Sequence, residues 1–160
     1  MQPVVGLLRR YAILLVVVVM AGFVASCDRI TGSAADLQVG ECFDQPADTT
    51  EVSDVQRQPC DEAHDAEVFL VVDHPGGDDE TYPISLTVDR FVLEQCKPAF
   101  NTYTGLDYDT STDLDFSYFY PTREGWNDGD REFTCYAVRA DEAKMTSSLR
   151  AGAPGSAPST

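Results

Sequence analysis

The clearest periodic pattern in the chain is helical and follows Pro83 and Ser85. Apolar residues recur there at spacings of three and four, which places them on one face of a helix. They are Val88, Val92, Cys96, Ala99, Phe100 and Tyr103. Ser85 or Thr87 can cap the start of this helix, and Gly105 can end it. Pro98 interrupts the stripe, so the pattern predicts one kinked helix or a pair of helices, the second beginning at Pro98.

Apolar runs on both sides of this helix predict strands. The continuous apolar run over 67–72 is typical of a central strand that is buried on both faces. Shorter strands are expected within 39–43 and 52–60, and residues 114–120 and 133–138 alternate as two half-buried antiparallel strands do. This order predicts an α+β fold, in which a small antiparallel sheet carries the kinked helix or helix pair on one face.

The beginning of the chain has the pattern of an export signal. Arg9 and Arg10 precede an apolar run from Tyr11 to Val24, and these 14 residues are short for a bilayer span of about 20 residues. The run ends in Val-Ala-Ser followed by Cys27, which resembles a lipobox, where the cysteine receives diacylglycerol. We expect cleavage before Cys27 and a lipid-anchored protein on the extracytoplasmic face of the cell membrane. An uncleaved membrane anchor is the alternative.

These patterns divide the chain into four parts. Residues 1–26 are a lipoprotein signal peptide, 27–37 a tether, and 38–150 the folded domain. Residues 151–160 are small, polar and rich in Pro and Gly, so we expect a disordered tail.

The cysteine count supports the predicted location on the extracytoplasmic face of the membrane. The chain has five cysteines, and lipidation of Cys27 leaves Cys42, Cys60, Cys96 and Cys135. An even number in an oxidising compartment indicates two disulfides, and three connectivities are possible. We favour Cys42–Cys60, which flanks a predicted hairpin, and Cys96–Cys135, which ties the helix to the last strand. A four-cysteine zinc site would need a Cys-x-x-Cys pair, which the chain lacks, so neither metal nor cofactor is expected.

The charge of the chain excludes one class of partner. The formal net charge is −16, from 27 acidic and 11 basic residues, and loss of Arg9 and Arg10 with the signal peptide leaves −18. Nucleic acid needs a basic footprint, so we expect no nucleic-acid partner. Adsorption to anionic lipid is also opposed, so membrane association should come through the lipid alone. The simplest explanation of this charge is that it keeps the protein soluble. Binding of divalent cations such as calcium is the alternative explanation.

His64, Asp65, Glu67 and His74 form the single cluster with metal-ligand chemistry. Strand alternation would put Asp65 and Glu67 on one face and His64 on the other. We therefore expect His64 and Asp65 to satisfy backbone groups where a strand begins, and His74 to be solvated in a loop. A site that uses His64 is the alternative.

Two further features are candidates for binding. Arg131 can pair with a buried carboxylate, Asp65 or Glu67, or can grip a small anion. The region from Tyr118 to Trp126 is rich in aromatic residues, and Phe119 and Trp126 are the candidates for exposure. Exposed rings would form a platform for sugars or peptides, whereas inward rings would belong to the core.

Several stretches together resemble the septum-formation domain, a family of extracytoplasmic domains found mostly in actinobacteria. The matching pieces begin with Val-Gly-Glu-Cys-Phe at 39–43 and His-Asp-Ala-Glu at 64–67. They continue with the four non-lipid cysteines, Tyr-Pro-Thr at 120–122, and Gly-Asp-Arg at 129–131. The resemblance covers about residues 38–150. It implies an envelope domain associated with division, often on a lipid or membrane anchor, and brings no established catalytic residues.

Three functions follow as hypotheses. The first is a non-enzymatic, lipid-anchored envelope protein that acts in septum formation through contacts with a division or envelope protein. The second is a cell-wall glycan-binding module that uses the aromatic region of Tyr118–Trp126. The third is a wall-acting enzyme, or an inhibitor of one, with His64 in its site.

Overall fold

The computed structural model describes residues 31–46, 54–77 and 80–153. Its strands are β1 (Thr31–Ser33), β2 (Cys42–Asp44), β3 (Asp54–Gln58), β4 (Ala66–Asp73), β5 (Leu114–Phe119) and β6 (Glu132–Arg139). Its helices are α1 (Ser85–Thr104) and the short α2 (Arg123–Asn127), and a single 3-10 turn spans Ala34–Asp36. The signal peptide, Cys27 and residues 154–160 lie outside the described residues. Within the described part, no helix is both long enough and apolar enough to cross a bilayer.

The strands form one antiparallel sheet of six strands in the order β1-β3-β2-β4-β6-β5. The predicted α+β class is confirmed, but the sheet is larger than expected. One added strand is β1, which pairs with β3 although the sequence assigns its residues to the tether. Ala34 and Leu37, also within that predicted tether, are buried. The folded part of the chain therefore begins by Thr31.

α1 is one unbroken helix, so the alternative of a helix pair is wrong. Pro98 lies inside it at an exposed position, where the carbonyl that loses its helical bond can meet water. Gly105 ends the helix as predicted, with φ of 73°, a conformation that favours glycine. The predicted side-chain cap is absent, because Ile84 occupies the N-cap position and makes no such bond.

The two faces of the sheet carry two apolar cores. The core on the α1 face contains the buried stripe of the helix together with side chains of the sheet and α2; its fully buried members are Phe69, Val88, Val92, Cys96, Phe100, Trp126, Phe133, Cys135 and Ala137. The opposite core contains Ala34, Leu37, Phe43, Val55, Ala66, Val68 and Tyr136. The two cores explain why the run at 67–72 is apolar without alternation, as a strand covered on both faces should be.

An irregularity in β4 adds one residue to the α1 face. Val68 pairs with Tyr136 and Leu70 with Cys135, so Phe69 has no partner across the strand pair. This is the pattern of a β-bulge, in which two residues oppose one. As a result Phe69 and Leu70 both pack on the α1 face.

Both predicted disulfides are confirmed. Cys42–Cys60 has a Cα separation of 5.3 Å and Cys96–Cys135 one of 6.0 Å. The first closes the β2–β3 end of the sheet, and the second joins α1 to β6. Cys42, Cys96 and Cys135 are all buried.

Candidate functional site

Trp126, predicted as a candidate for exposure, lies in the core. The segment that joins β5 to β6 contains α2, whose start is capped by Thr122 Oγ accepting from the backbone N–H of Gly125 at 3.1 Å. α2 turns the indole inward, leaving Trp126 2% exposed, and its N–H donates to the carbonyl of Glu80 at 2.8 Å. Of the two alternatives for Trp126, an exposed ring or a core ring, the structure shows the core ring.

Phe119 is also not available as a platform. Its ring packs on the core opposite α1, with centroids 5.9 Å from Phe43 and 4.7 Å from Tyr136. Of the aromatic residues from 118 to 126, Tyr120 is the most exposed, at 45%. The structure thus reduces the predicted platform to a single exposed ring.

Arg131 is buried, and within the part of the chain that the structure describes it has no carboxylate partner. Nη1 donates to the carbonyls of Trp126 and Asp130, both at 2.7 Å, and Nη2 donates to the carbonyl of Gly77 at 3.2 Å. The guanidinium also stacks 3.9 Å from the Trp126 ring centroid. The predicted pairing with Asp65 or Glu67 is wrong. Through these bonds the Arg131 side chain joins α2 to Gly77 and to the turn before β6, while its buried Nε–H has no partner among the described residues.

The Gly-Asp-Arg segment at 129–131 forms a tight turn. Gly129 has φ of 95°, and Asp130 Oδ1 accepts from the backbone N–H of Glu132 at 2.9 Å. This turn delivers Arg131 into the core at the start of β6.

The His-Asp-Ala-Glu stretch at 64–67 contacts one segment far along the chain. His64 is fully buried, and its backbone exchanges two hydrogen bonds with Met145, at 3.0 and 2.8 Å. Its Nδ1–H donates to the carbonyl of Glu62 at 2.8 Å. The expectation that His64 satisfies backbone groups where a strand begins agrees with these contacts. The expectation that His64 and Glu67 lie on opposite faces is wrong, since ligand atoms of the two approach within 4.8 Å.

Asp65 contacts the same distant segment through its side chain. Oδ1 lies 2.9 Å from Lys144 Nζ, and Oδ2 accepts from the backbone N–H of Gln45 at 3.0 Å. Lys144 also contacts Asp44 Oδ1 at 2.5 Å. The ammonium of Lys144 therefore bridges two carboxylates.

Glu67 contacts this segment through its side-chain oxygens. Its carboxylate is fully buried and accepts three hydrogen bonds, all from neutral donors. Oε1 accepts from Tyr103 Oη at 2.5 Å and Ser148 Oγ at 2.6 Å, and Oε2 accepts from the backbone N–H of Leu149 at 2.6 Å. Hydrogen bonds to an ionised acceptor are about twice as strong as neutral ones.

We call residues Lys144–Ala151 the C-terminal strap. Residues 64–67 hold its first part, and its end is held by α1, where the N–H of Ala151 donates to the carbonyl of Tyr103 at 2.8 Å. Arg150 lies over the Tyr103 ring at 5.1 Å. The resemblance motif His-Asp-Ala-Glu is therefore a clasp for the strap, a role that the sequence alone did not indicate.

The clasp also places three metal-ligand atoms together. One ligand atom each from Cys42, His64 and Glu67 lies within 4.8 Å of the others, and all three residues are buried. The group does not fit a metal ion, because the Cys42 sulfur is bonded to Cys60 and the Glu67 oxygens already accept three donors. In the described residues, His64 Nε2 has no hydrogen-bond partner.

A polar groove of about 430 Å³ lies beside the clasp. It is lined by Gln45, Asp65, Asp115, Val138, Arg139, Ala140, Glu142 and Ala143. Three of its charged side chains have partners: Lys144 contacts Asp65, Tyr108 Oη donates to Asp115 at 2.8 Å, and Arg139 pairs with Asp141 at 2.7 and 2.6 Å. The groove presents no nucleophile beside a base.

The side of α1 that faces away from the sheet carries an unusual surface. Leu86, Arg90, Leu93 and Lys97 follow one another at spacings of four, three and four, which aligns them along one side of the helix. We call these four residues the outer stripe. Leu86 is 64% exposed and Leu93 54%, in contrast to the fully buried stripe on the opposite side of α1.

Beside the outer stripe, Tyr118 joins β5 to α1. Its Oη donates to Asp89 Oδ1 at 3.1 Å. Burial, and then the bond to Asp89, raise the pKa of Tyr118 to about 12, so this phenol stays neutral over the physiological range. The flank of α1 next to the stripe is therefore fixed to the sheet.

A match to one protein family relates the chain to known proteins. The model of a family described as Septum formation matches residues 39–157. This range includes both disulfides, the clasp and the strap. No curated protein and no solved structure matches the chain.

Proposed function

Because the chain belongs to the septum formation family, we propose that it is a lipid-anchored envelope protein that acts in septum formation through protein contacts and without catalysis. The partner is a division or envelope protein, and Cys27 carries the lipid that holds the domain outside the cytoplasmic membrane. The family match supports a role in septum formation. The lipid, the contacts and the absence of catalysis are the parts that we propose.

The observation that carries the proposal is the outer stripe. Leu86 and Leu93 are each more than half exposed, and Arg90 lies between them. All three belong to α1, whose opposite side is fixed in the core. Interfaces combine apolar contact with arginine, and rigid elements present such surfaces with little loss of entropy on binding.

The positions that suggested chemistry from the sequence have structural roles. His64 lies beneath the strap, Arg131 is bonded to three carbonyls, and the four cysteines of the domain form disulfides. A general base needs hydrogen-bond reach to a substrate proton, which a buried His64 does not have in this arrangement. This supports a function by binding.

The glycan-binding alternative has less support than the sequence suggested. It relied on Phe119 and Trp126, which pack in the two cores. Tyr120 is the ring that remains for stacking on a sugar. Muropeptide binding that falls with Tyr120→Ala while thermal stability is unchanged would restore this alternative.

The test of the proposal is complementation of a strain that lacks the gene. We expect wild-type protein to restore normal septum spacing, and its intact mass to show an acylated N-terminal cysteine. Cys27→Ala should leave the domain folded but fail to restore septa, because the protein is no longer held at the membrane. Normal septa in the deletion strain, or an unacylated and unprocessed N-terminus, would contradict the proposal.

A further inference from the structure

The two disulfides differ in how far solvent can reach them. Cys96 and Cys135 are 1% and 0% exposed, and both lie in the apolar core on the α1 face. In the other pair Cys42 is 1% exposed, whereas Cys60 is partly exposed. A thiolate exchanges with a disulfide only where it can reach a sulfur, and exposed disulfides are the labile ones. Cys42–Cys60 is therefore the pair open to attack, and Cys60 is the residue at which attack occurs.

Cys42 lies beside a buried histidine that has a free nitrogen. It is opposite Glu67 across β2 and β4, and one ligand atom each of Cys42, His64 and Glu67 lies within 4.8 Å of the others. Nδ1 of His64 is occupied by the Glu62 carbonyl, so Nε2 holds the lone pair of the neutral ring. Nε2 is buried and has no partner among the described residues, which is costly for an acceptor. The S–H of a reduced Cys42 would supply the missing donor.

The sulfur of Cys60 also has an acceptor in place. Cys60 Sγ lies 3.4 Å from the carbonyl oxygen of Gly40. In the disulfide this sulfur has no hydrogen to donate, but a thiol at the same position would donate to that oxygen. Gly40 is held there because its N–H donates to the carbonyl of Val68 at 2.8 Å. Each of the two sulfurs therefore has an acceptor ready for its thiol form, which favours reduction of this pair.

We infer that Cys42–Cys60 is a reversible thiol–disulfide exchange site whose reductant is a dithiol. Cys60 is the sulfur that the dithiol attacks, and His64 Nε2 is the acceptor for the Cys42 thiol. Cys96–Cys135 takes no part, because both of its residues are buried in the core. This inference goes beyond the proposed function and does not depend on the lipid.

The exchange proceeds in two steps. A thiolate of the dithiol attacks Cys60 Sγ, the bond between the two Sγ atoms breaks, and its electron pair moves to Cys42, which takes a proton and donates to His64 Nε2. The second thiol of the reductant loses its proton and attacks the reductant's own sulfur in the mixed disulfide, which releases the Cys60 thiol and the oxidised reductant. Two electrons and two protons thus pass to the cysteine pair. In reverse, Nε2 accepts the proton of Cys42, because the nearby Glu67 carboxylate disfavours a thiolate that keeps no partner.

The charges near Cys60 determine which reductants can approach. Asp61 and Glu62, which follow it in the chain, are exposed. Arg57, three residues before it, is engaged with Glu41 at 3.5 Å. Negative charge at the point of entry opposes an anionic thiol, so an uncharged dithiol is the appropriate probe. Dithiothreitol meets this requirement.

The first experiment compares the two disulfides in one chain. The full chain is purified with Cys27→Ala, so that no fifth cysteine exchanges with the pairs. It is equilibrated with graded ratios of reduced to oxidised dithiothreitol, the thiols are alkylated, and each cysteine is quantified by mass spectrometry. We expect Cys42–Cys60 to be half reduced at a ratio at least about 10-fold lower than Cys96–Cys135, and to re-form when the ratio is reversed. Half-reduction of both pairs at the same ratio would overturn the inference.

His64→Asn and His64→Gln form a matched pair for the role of Nε2. Asparagine places an amide N–H near the position of Nδ1, where it can donate to the Glu62 carbonyl, but it offers Cys42 no acceptor. Glutamine places its amide oxygen near the position of Nε2, where it can accept from the Cys42 thiol. We expect His64→Asn to raise the ratio for half-reduction about 10-fold, and His64→Gln to stay within about threefold of wild type. No shift in His64→Asn, or equal shifts in both variants, would overturn the role of Nε2 and the inference with it.

A last measurement needs no variant at His64. In nitrogen NMR of the histidine rings, reduction of Cys42–Cys60 should move the His64 Nε2 resonance, because that nitrogen gains a hydrogen bond. The ring of His74 is the internal control, because it packs against Phe91 and Trp126 on the α1 face, and its resonances should not move. A His64 Nε2 resonance that is the same in both redox states would overturn the inference, even if the His64 variants failed to fold.

Discussion

Replacement of Glu67 by leucine should release the C-terminal strap and destabilise the whole domain. Leucine has a similar volume but no acceptor. The phenol of Tyr103, the hydroxyl of Ser148 and the backbone N–H of Leu149 would then lose their common partner. The strap would remain attached mainly through Met145 and Lys144.

The size of the effect follows from what becomes of these donors. A buried donor left without a partner costs about 1–3 kcal/mol. The two hydroxyls can turn toward other acceptors or water, whereas the N–H of Leu149 cannot turn. We therefore expect a loss of about 3–5 kcal/mol, which is a large part of the 5–15 kcal/mol typical of a domain.

Glu67→Gln is the matched control for shape. Its amide can donate to the hydroxyls of Tyr103 and Ser148 while its oxygen accepts from the N–H of Leu149. The three contacts are then kept, but both hydroxyls change from donor to acceptor and the charge is lost. We expect a loss of about 1 kcal/mol, several times smaller than for leucine.

The assay is urea unfolding of the non-lipidated mature chain, combined with amide hydrogen exchange. In Glu67→Leu the amides of Leu149 and Ala151 should exchange much faster than the strands, because this part of the strap opens before the sheet unfolds. The clasp would be refuted if Glu67→Leu lost less than about 1 kcal/mol, or if the Leu149 amide kept its protection.

Three further changes test the core and the charges. Burial, and then nearby carboxylates, raise the pKa of Glu132, so the folded state holds its proton more tightly and this group's stabilising contribution is lost as pH rises through the folded-state pKa. Glu132→Gln should therefore be more stable than wild type at neutral pH and equal to it in acid, below the ordinary pKa of glutamate; a constant difference across a pH series of urea titrations would contradict this. Cys96→Ser with Cys135→Ser opens a 39-residue loop and should lower stability by about 4 kcal/mol in calorimetry, and a loss under 1 kcal/mol would argue against that crosslink. Trp126→Ala should lower stability by about 3–5 kcal/mol and Tyr120→Ala by under 1 kcal/mol, whereas equal losses in thermal unfolding would show that the two rings are not buried differently.

Local patterns in the sequence were sufficient for most of the elements. The stripe of Val88, Val92 and Cys96 predicts the buried side of α1, and Gly105 predicts its end. Alternation predicts β6 and which of its residues share a face, but the expectation that this strand is half-buried is wrong, because both of its faces are covered. The even set of cysteines, with the order of elements, predicts both disulfides. Each of these depends on the periodicity of one element or on simple counting, which a single sequence contains.

Features that depend on distant contacts were missed. The strap contacts His64 and Glu67 across about 80 residues, and no local pattern in either segment reports this pairing. We expected Arg131 to pair with a carboxylate, because buried cations usually do. In the structure the backbone carbonyls of Gly77, Trp126 and Asp130 accept its hydrogen bonds instead. For Trp126 the sequence left an exposed ring and a core ring both open. Thr122 before an acidic residue at the first turn was the available signal for α2.

The most direct test of the central claim is septum spacing in cells whose only copy of the gene carries Leu86→Glu and Leu93→Glu. The account predicts that this protein is folded, lipidated and present at the wild-type level, yet leaves septa as defective as in the deletion strain, whereas Val39→Glu restores them. Full restoration of septa by the double variant would show that the outer stripe is not the surface through which the domain acts.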